Sequence, residues 1–141
     1  MLKLKIMKNI KTIFAGIILI TLVSVSAFAK TNAKVIAVVN QAEWCPVCQK
    51  NDTRAMETFK ENNKDMAIQF VANDLTNDES KKKSIEELKK VGLDKAIEPY
   101  NRTGVVYFFN SETKTLISQI SVAKSDKELA AALTTAKKGW K

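Results

Sequence analysis

Cys45 and Cys48 are the only cysteines in this 141-residue sequence, and they are separated only by Pro46 and Val47. Two thiols at that spacing suit dithiol–disulfide exchange. One attacks a disulfide, and the other, a turn further along a helix, lies close enough to close a new bond behind it. The attacking species is the thiolate, which forms most readily where unpaired N–H groups and the dipole of a helix N-terminus favour negative charge. The neighbouring residues supply such a junction. Val35-Ile36-Ala37-Val38-Val39 is a continuous apolar run of strand length, suited to a strand buried on both faces. Gln41 to Trp44 connects it to the cysteines. Pro46 fits a first helical turn, where a missing N–H costs nothing.

Other cysteine chemistry fares worse. A closed zinc site takes four Cys or His ligands, and this chain has two cysteines and no histidine, so a metal centre is not expected. Copper(I) needs fewer soft ligands, and Met56 and Met66 exist, but methionines at such positions more often fill a core. Haem attachment would require histidine where Gln49 stands. A Cys-His hydrolytic nucleophile is excluded for the same reason. The four glycines form no phosphate-cradling loop. The competing bland reading is an inert disulfide. Trp44 either packs or shapes a docking surface beside the thiol, and Glu43 and Lys50 flank the motif where they could tune it.

Further along, the helix that starts at Pro46 runs to about Asn62, with Ala55, Met56 and Phe59 on one side. Ala67 to Ala72 reads as a second strand, which closes a right-handed parallel β-α-β unit. Thr76-Asn77-Asp78-Glu79 has capping-box spacing and opens a second helix. Its inner stripe is Ile85, Leu88 and Val91, Lys81 to Lys83 face solvent, and Gly92 stops it. Leu93 to Arg102 reads as a short helical turn and a loop at Pro99. Val105 to Phe109 and Thr115 to Val122, joined by the Asn110–Lys114 turn, make an antiparallel hairpin. A second capping box, Ser125 to Glu128, opens a last helix that carries Leu129, Leu133, Ala136 and Trp140. The order β-α-β-α-β-β-α predicts an α/β protein with a mixed four-stranded sheet and helices on both faces.

The first thirty residues read differently. Lys3, Lys5, Lys8 and Lys11 precede an apolar run from Ile13 to about Phe28, and Ala27-Phe28-Ala29 fits a small-x-small cleavage site. Residues 1–29 are therefore expected to be a signal peptide and 30–141 the domain, exported to the periplasm. The alternative is an uncleaved N-terminal anchor. Without residues 1–29, 19 basic residues face 15 acidic ones, a mild excess that does not argue for nucleic acid. An exported chain meets conditions in which disulfides persist. So short a loop makes a poor structural staple.

The segment Ala42-Glu43-Trp44-Cys45-Pro46-Val47-Cys48, set in this order of elements, resembles the active-site segment of thioredoxin-like proteins. Ala72-Asn73-Asp74 through Thr76-Asn77-Asp78 is similar to the C-terminal domain of the DsbD reductases. The Trp-Cys-Pro-x-Cys run also occurs in thioredoxin-like reductases of cytochrome maturation. The resemblance implies the minimal thioredoxin-like fold and a thiol–disulfide oxidoreductase with Cys45 as exposed nucleophile, Cys48 as resolving thiol and Trp44 covering the site. No cofactor beyond the Cys45–Cys48 disulfide is implied. The implied partners are protein thiols and disulfides and a membrane electron-donor reductase, with the chain acting as a monomer. Pro46-Val47 adds no charge that would stabilise a thiolate, so reduction is favoured over the alternatives, an oxidant or isomerase and a non-enzymatic binding module. Two departures stand out. Val39 occupies the position of the family's buried aspartate. Thr103-Gly104 occupies the position of its substrate-docking cis-proline, where a trans bond is expected and glycine still admits a close substrate backbone.

Overall fold

The computed structural model describes residues 32–141; the expected signal peptide, residues 1–29, lies outside them. The chain divides into two units, and the fold concerns the second, Ala33–Lys141. Its elements are β1 (Val35–Gln41), α1 (Pro46–Glu61), β2 (Ile68–Asp74), α2 (Asp78–Lys90), β3 (Val105–Asn110), β4 (Leu116–Ser121) and α3 (Asp126–Lys138). The sheet order is β2-β1-β3-β4. β1 runs parallel to β2 and antiparallel to β3, and β3 and β4 form the hairpin. This is the β-α-β-α-β-β-α mixed sheet of the minimal thioredoxin-like fold.

β1 lies in the sheet interior, and its first six residues are buried. Its pleat sends side chains alternately to two cores. Val35, Ala37 and Val39 meet Ala55 and Phe59 of α1 and Leu129, Leu133 and Ala136 of α3. Ile36 and Val38 meet Leu88 of α2 and Leu93, Ile97, Tyr107 and Phe109. Helices therefore cover both faces. Each fully buried Phe or Leu in these cores contributes about 1.5–3 kcal/mol. Removing one would use up a large part of a small domain's net stability of about 5–15 kcal/mol.

The helix ends show why the elements stop where they do. Ser125 and Glu128 form the expected capping box at α3. At the end of α2, Gly92 takes a φ of +72°. There the Leu93 amide reaches the Leu88 carbonyl at 2.9 Å and the Gly92 amide reaches Lys89 at 3.0 Å, a Schellman stop. Between α2 and β3 the chain makes one helical turn, with the Ile97 amide on the Leu93 carbonyl at 3.0 Å.

Three sequence expectations need correction. The N-cap of α2 is Asn77, whose side chain accepts the Ser80 amide; Thr76 is engaged elsewhere. The inner face of α2 presents Ser84 and Leu88, while Ile85 is 43% exposed. Ser84 is buried because its hydroxyl accepts the Asp74 amide at 2.8 Å, an attachment that hydropathy alone does not reveal. Met56 and Met66 are also exposed rather than core. They line an apolar groove over the stacked Phe59–Phe70 pair.

Candidate active site

Cys45 is the N-cap of α1, and Pro46 begins the helix. Cys45 and Cys48 are joined as a disulfide with Cα atoms 5.3 Å apart, within the usual span of roughly 4.4–6.8 Å. The Cys45 sulfur accepts the Cys48 amide at 3.2 Å. An unpaired N–H of the first turn thus points at the sulfur on which negative charge would form once the bond is reduced. The strand-to-helix junction read from the sequence is realised.

Cys45 is only 3% exposed and Cys48 2%, so in the disulfide form neither is the exposed thiol that the resemblance implies. Both belong to a small cluster with Ala42, against which Leu75 packs. On another side lies Gly104, at a φ of +73°. A Cβ added there would stand 2.9 Å from Val47 Cγ1 and 3.7 Å from Cys45 Sγ, so bare backbone comes close to the sulfur. The Gly104 amide donates to the Asn40 carbonyl at 2.8 Å, and its carbonyl accepts the Val122 amide at 2.9 Å. Gly104 therefore lies beside Cys45, with Thr103 just before it in the chain, and no cis peptide occurs among the described residues.

Trp44 is 60% exposed, and its indole Nε1 donates to the Thr76 carbonyl at 3.1 Å. Val47 is exposed as well, as are Glu43 and Pro46. The Glu43 amide donates to Thr76 Oγ1 at 3.0 Å, and its carbonyl accepts from Gln49 Nε2.

Several residues that the sequence reading left out are brought to this site. Asn40, fully buried, accepts from Asn73 Nδ2 at 2.8 Å and donates to the Tyr100 carbonyl at 2.8 Å. One amide thus ties β1, β2 and the loop that leads to Thr103 together. Asp52 follows Cys48 by one helical turn, so the two share a face of α1. Both line an open cavity of about 370 Å³ with Glu43, Asp74 and Thr76. Burial holds the Asp52 carboxyl above its ordinary range. The Asp74 carboxyl lies below its own range, held by hydrogen bonds from the Thr76 hydroxyl and amide. The i, i+4 spacing of Cys48 and Asp52 was a usable signal. Asp74 arrives through the register that sets Gln41 opposite it. Val39 is buried in the core as expected, and it brings no carboxylate.

No protein-family model matches the chain, and no curated protein matches it. Among solved structures, Trxlp from Edwardsiella tarda is similar over 78% of this chain and 91% of its own, with 13% identity and a TM-score of 0.49. A domain described as a possible thiol-disulfide isomerase, from Cytophaga hutchinsonii, is similar over 79% of this chain and 80% of its own. Its identity is 20% and its TM-score 0.44. The strand order, strand senses and connections of the chain itself define the thioredoxin-like fold.

Proposed function

We propose that this chain is an exported thiol–disulfide oxidoreductase that reduces protein disulfides through Cys45 and Cys48. The observation that carries the reading is a disulfide whose first sulfur caps a helix N-terminus and accepts an N–H of its first turn, where a thiolate is favoured. In the reduced protein, the Cys45 thiolate attacks one sulfur of a substrate disulfide. A Cys45–substrate bond forms and the other substrate sulfur leaves as a thiolate. Cys48 then loses its proton and attacks the Cys45 sulfur. The Cys45–Cys48 bond forms, the second substrate thiol is released, and two electrons have passed to the substrate.

Asp52 is positioned to take the Cys48 proton. It lines the same cavity as Cys48, and its raised pKa brings a carboxylate closer to the basicity that proton removal needs. Thr103 and Gly104 offer backbone beside the sulfur for an extended substrate segment. For direction, the support is the dipeptide between the cysteines: Pro46 and Val47 add no charge that would further stabilise a Cys45 thiolate, and a strongly stabilised reduced form is what makes a strong oxidant. The disulfide formed in each cycle must be reduced again, and a dithiol reductase in the membrane is the electron source that suits an exported protein.

The test is the potential of the Cys45–Cys48 couple, read by equilibration with dithiol/disulfide buffers. A value near the about −270 mV of thioredoxin supports reduction, and one near the about −120 mV of a strong oxidant reverses the direction.

A further inference from the structure

The loop between β2 and α2 is bonded to the segment that carries the redox site at several points, none of them a cysteine. The Leu75 amide donates to the Gln41 carbonyl at 2.8 Å. Thr76 Oγ1 accepts the Glu43 amide at 3.0 Å, and the Thr76 carbonyl accepts the Trp44 indole at 3.1 Å. Thr76 is fixed in turn by Asp74, whose Oδ1 accepts both its hydroxyl and its amide. Leu75, one residue before it, packs on Ala42 and the two cysteines.

Trp44 is largely solvent-exposed, so little packing fixes its ring; its described polar tie is to Thr76. An exposed indole held in one orientation is a pre-ordered anchor, the kind of group that contributes most at an interface because little rotamer freedom is lost on binding. Val47, also exposed, presents a second apolar surface on the far side of Cys45 in sequence. Cys45, between them in sequence, is only 3% exposed, so a partner that reaches its sulfur meets these two exposed side chains beside it.

We infer that Thr76 is a specificity-determining positioning residue: its hydroxyl, bonded to Glu43 and Asp74, fixes the backbone carbonyl that holds Trp44, and with it the docking face that selects protein disulfides flanked by apolar side chains. The inference rests on the dithiol-exchange reading of Cys45 and Cys48. Thr76→Val keeps the β-branched shape but removes the hydroxyl that accepts from Glu43 and donates to Asp74. Thr76→Ser keeps the hydroxyl.

The experiment compares pre-reduced wild type, Thr76→Val and Thr76→Ser in single-turnover reduction of two probes. One is a protein disulfide flanked by apolar residues; the other is hydroxyethyl disulfide, too small to use a docking face. Thr76→Val is expected to raise the half-saturation concentration for the protein disulfide by about threefold to tenfold, the scale of one lost pre-ordered side chain. Its limiting rate, and its rate with hydroxyethyl disulfide, should stay near wild type, and Thr76→Ser should restore binding. In a Trp140→Phe background, Trp44 emission should change in Thr76→Val and return in Thr76→Ser. An unchanged half-saturation concentration overturns the inference, as does an equal loss with both probes, which marks a purely structural effect. Wild-type protein that reduces neither probe overturns the exchange reading itself, and that outcome is distinct from both.

Discussion

Gly104→Ala perturbs the point where backbone and sulfur come closest. Gly104 adopts a φ of +73°, where a Cβ is strained by about 1–3 kcal/mol. The added carbon would also stand 2.9 Å from Val47 Cγ1, so that side chain must turn away. With a urea m-value of about 1–3 kcal/mol/M for a small domain, a loss near 2 kcal/mol lowers the unfolding midpoint by about 1 M. The same Cβ would lie 3.7 Å from Cys45 Sγ, so attack on that sulfur by a small thiol should slow several-fold. Urea unfolding followed by circular dichroism gives the first quantity, and stopped-flow reduction by dithiothreitol gives the second. Adding Val47→Ala separates the two contributions. It relieves the crowding and recovers part of the reduction rate, but the φ strain and most of the stability loss remain. A Gly104→Ala protein with wild-type midpoint and reduction rate would refute the placement of this loop over Cys45.

Two further substitutions probe a buried amide and a half-buried carboxyl. Asn40→Val leaves Asn73 Nδ2 and the Tyr100 carbonyl without the partners they have in the folded protein. At about 1–3 kcal/mol per unpaired buried group, a loss of about 2–5 kcal/mol is expected in denaturant unfolding; a loss below 1 kcal/mol would mean that water replaces the amide. Asp52→Asn acts on both stability and rate. Because burial raises its pKa, folded Asp52 holds its proton more tightly than unfolded Asp52. Its ionisation therefore costs stability as pH rises from about 3.8 through the raised value. Asp52→Asn should be more stable than wild type at pH 7 and indistinguishable from it below both pKa values, as measured by thermal unfolding across pH. It should also slow release of substrate from the Cys45 mixed disulfide by about tenfold or more at neutral pH, as expected when a proton acceptor is removed. Attack by Cys45 should be unaffected. Equal release rates in the two proteins would remove Asp52 from that step.

What the sequence disclosed and what it hid divide along physical lines. Apolar runs such as Val35–Val39 and Val105–Phe109 are strands because burial on both faces demands continuous hydrophobicity, and that is legible in one dimension. Local signals were equally plain: the Ser125–Glu128 box, the Gly92 stop and Cys45 at the start of α1 are all settled within a few residues. The failures involve polar groups whose partners are distant in sequence. Ser84 is inside and Ile85 outside because the end of β2 needs a hydrogen-bond acceptor, while Leu88 and Val91 keep their expected place on the inner side of α2. Thr76 reads as a cap but serves Glu43 and Asp74 instead. Asn40 and Asn73 stand just past the apolar runs of β1 and β2, where hydropathy says nothing of a partner, yet the parallel register pairs them in the interior. The candidate site was legible at its two cysteines. The groups around them, which the β1–β2 register and the Gly104 loop assemble, were not.

The central claim is that Cys45 attacks and Cys48 resolves. It is tested most directly by mixing reduced Cys48→Ser and reduced Cys45→Ser proteins separately with a disulfide-bonded test protein and measuring the mixed disulfide by non-reducing electrophoresis and mass spectrometry. Cys48→Ser is expected to accumulate a stable adduct through Cys45, while Cys45→Ser forms little. An adduct that forms only through Cys48, or with neither variant, would contradict the account.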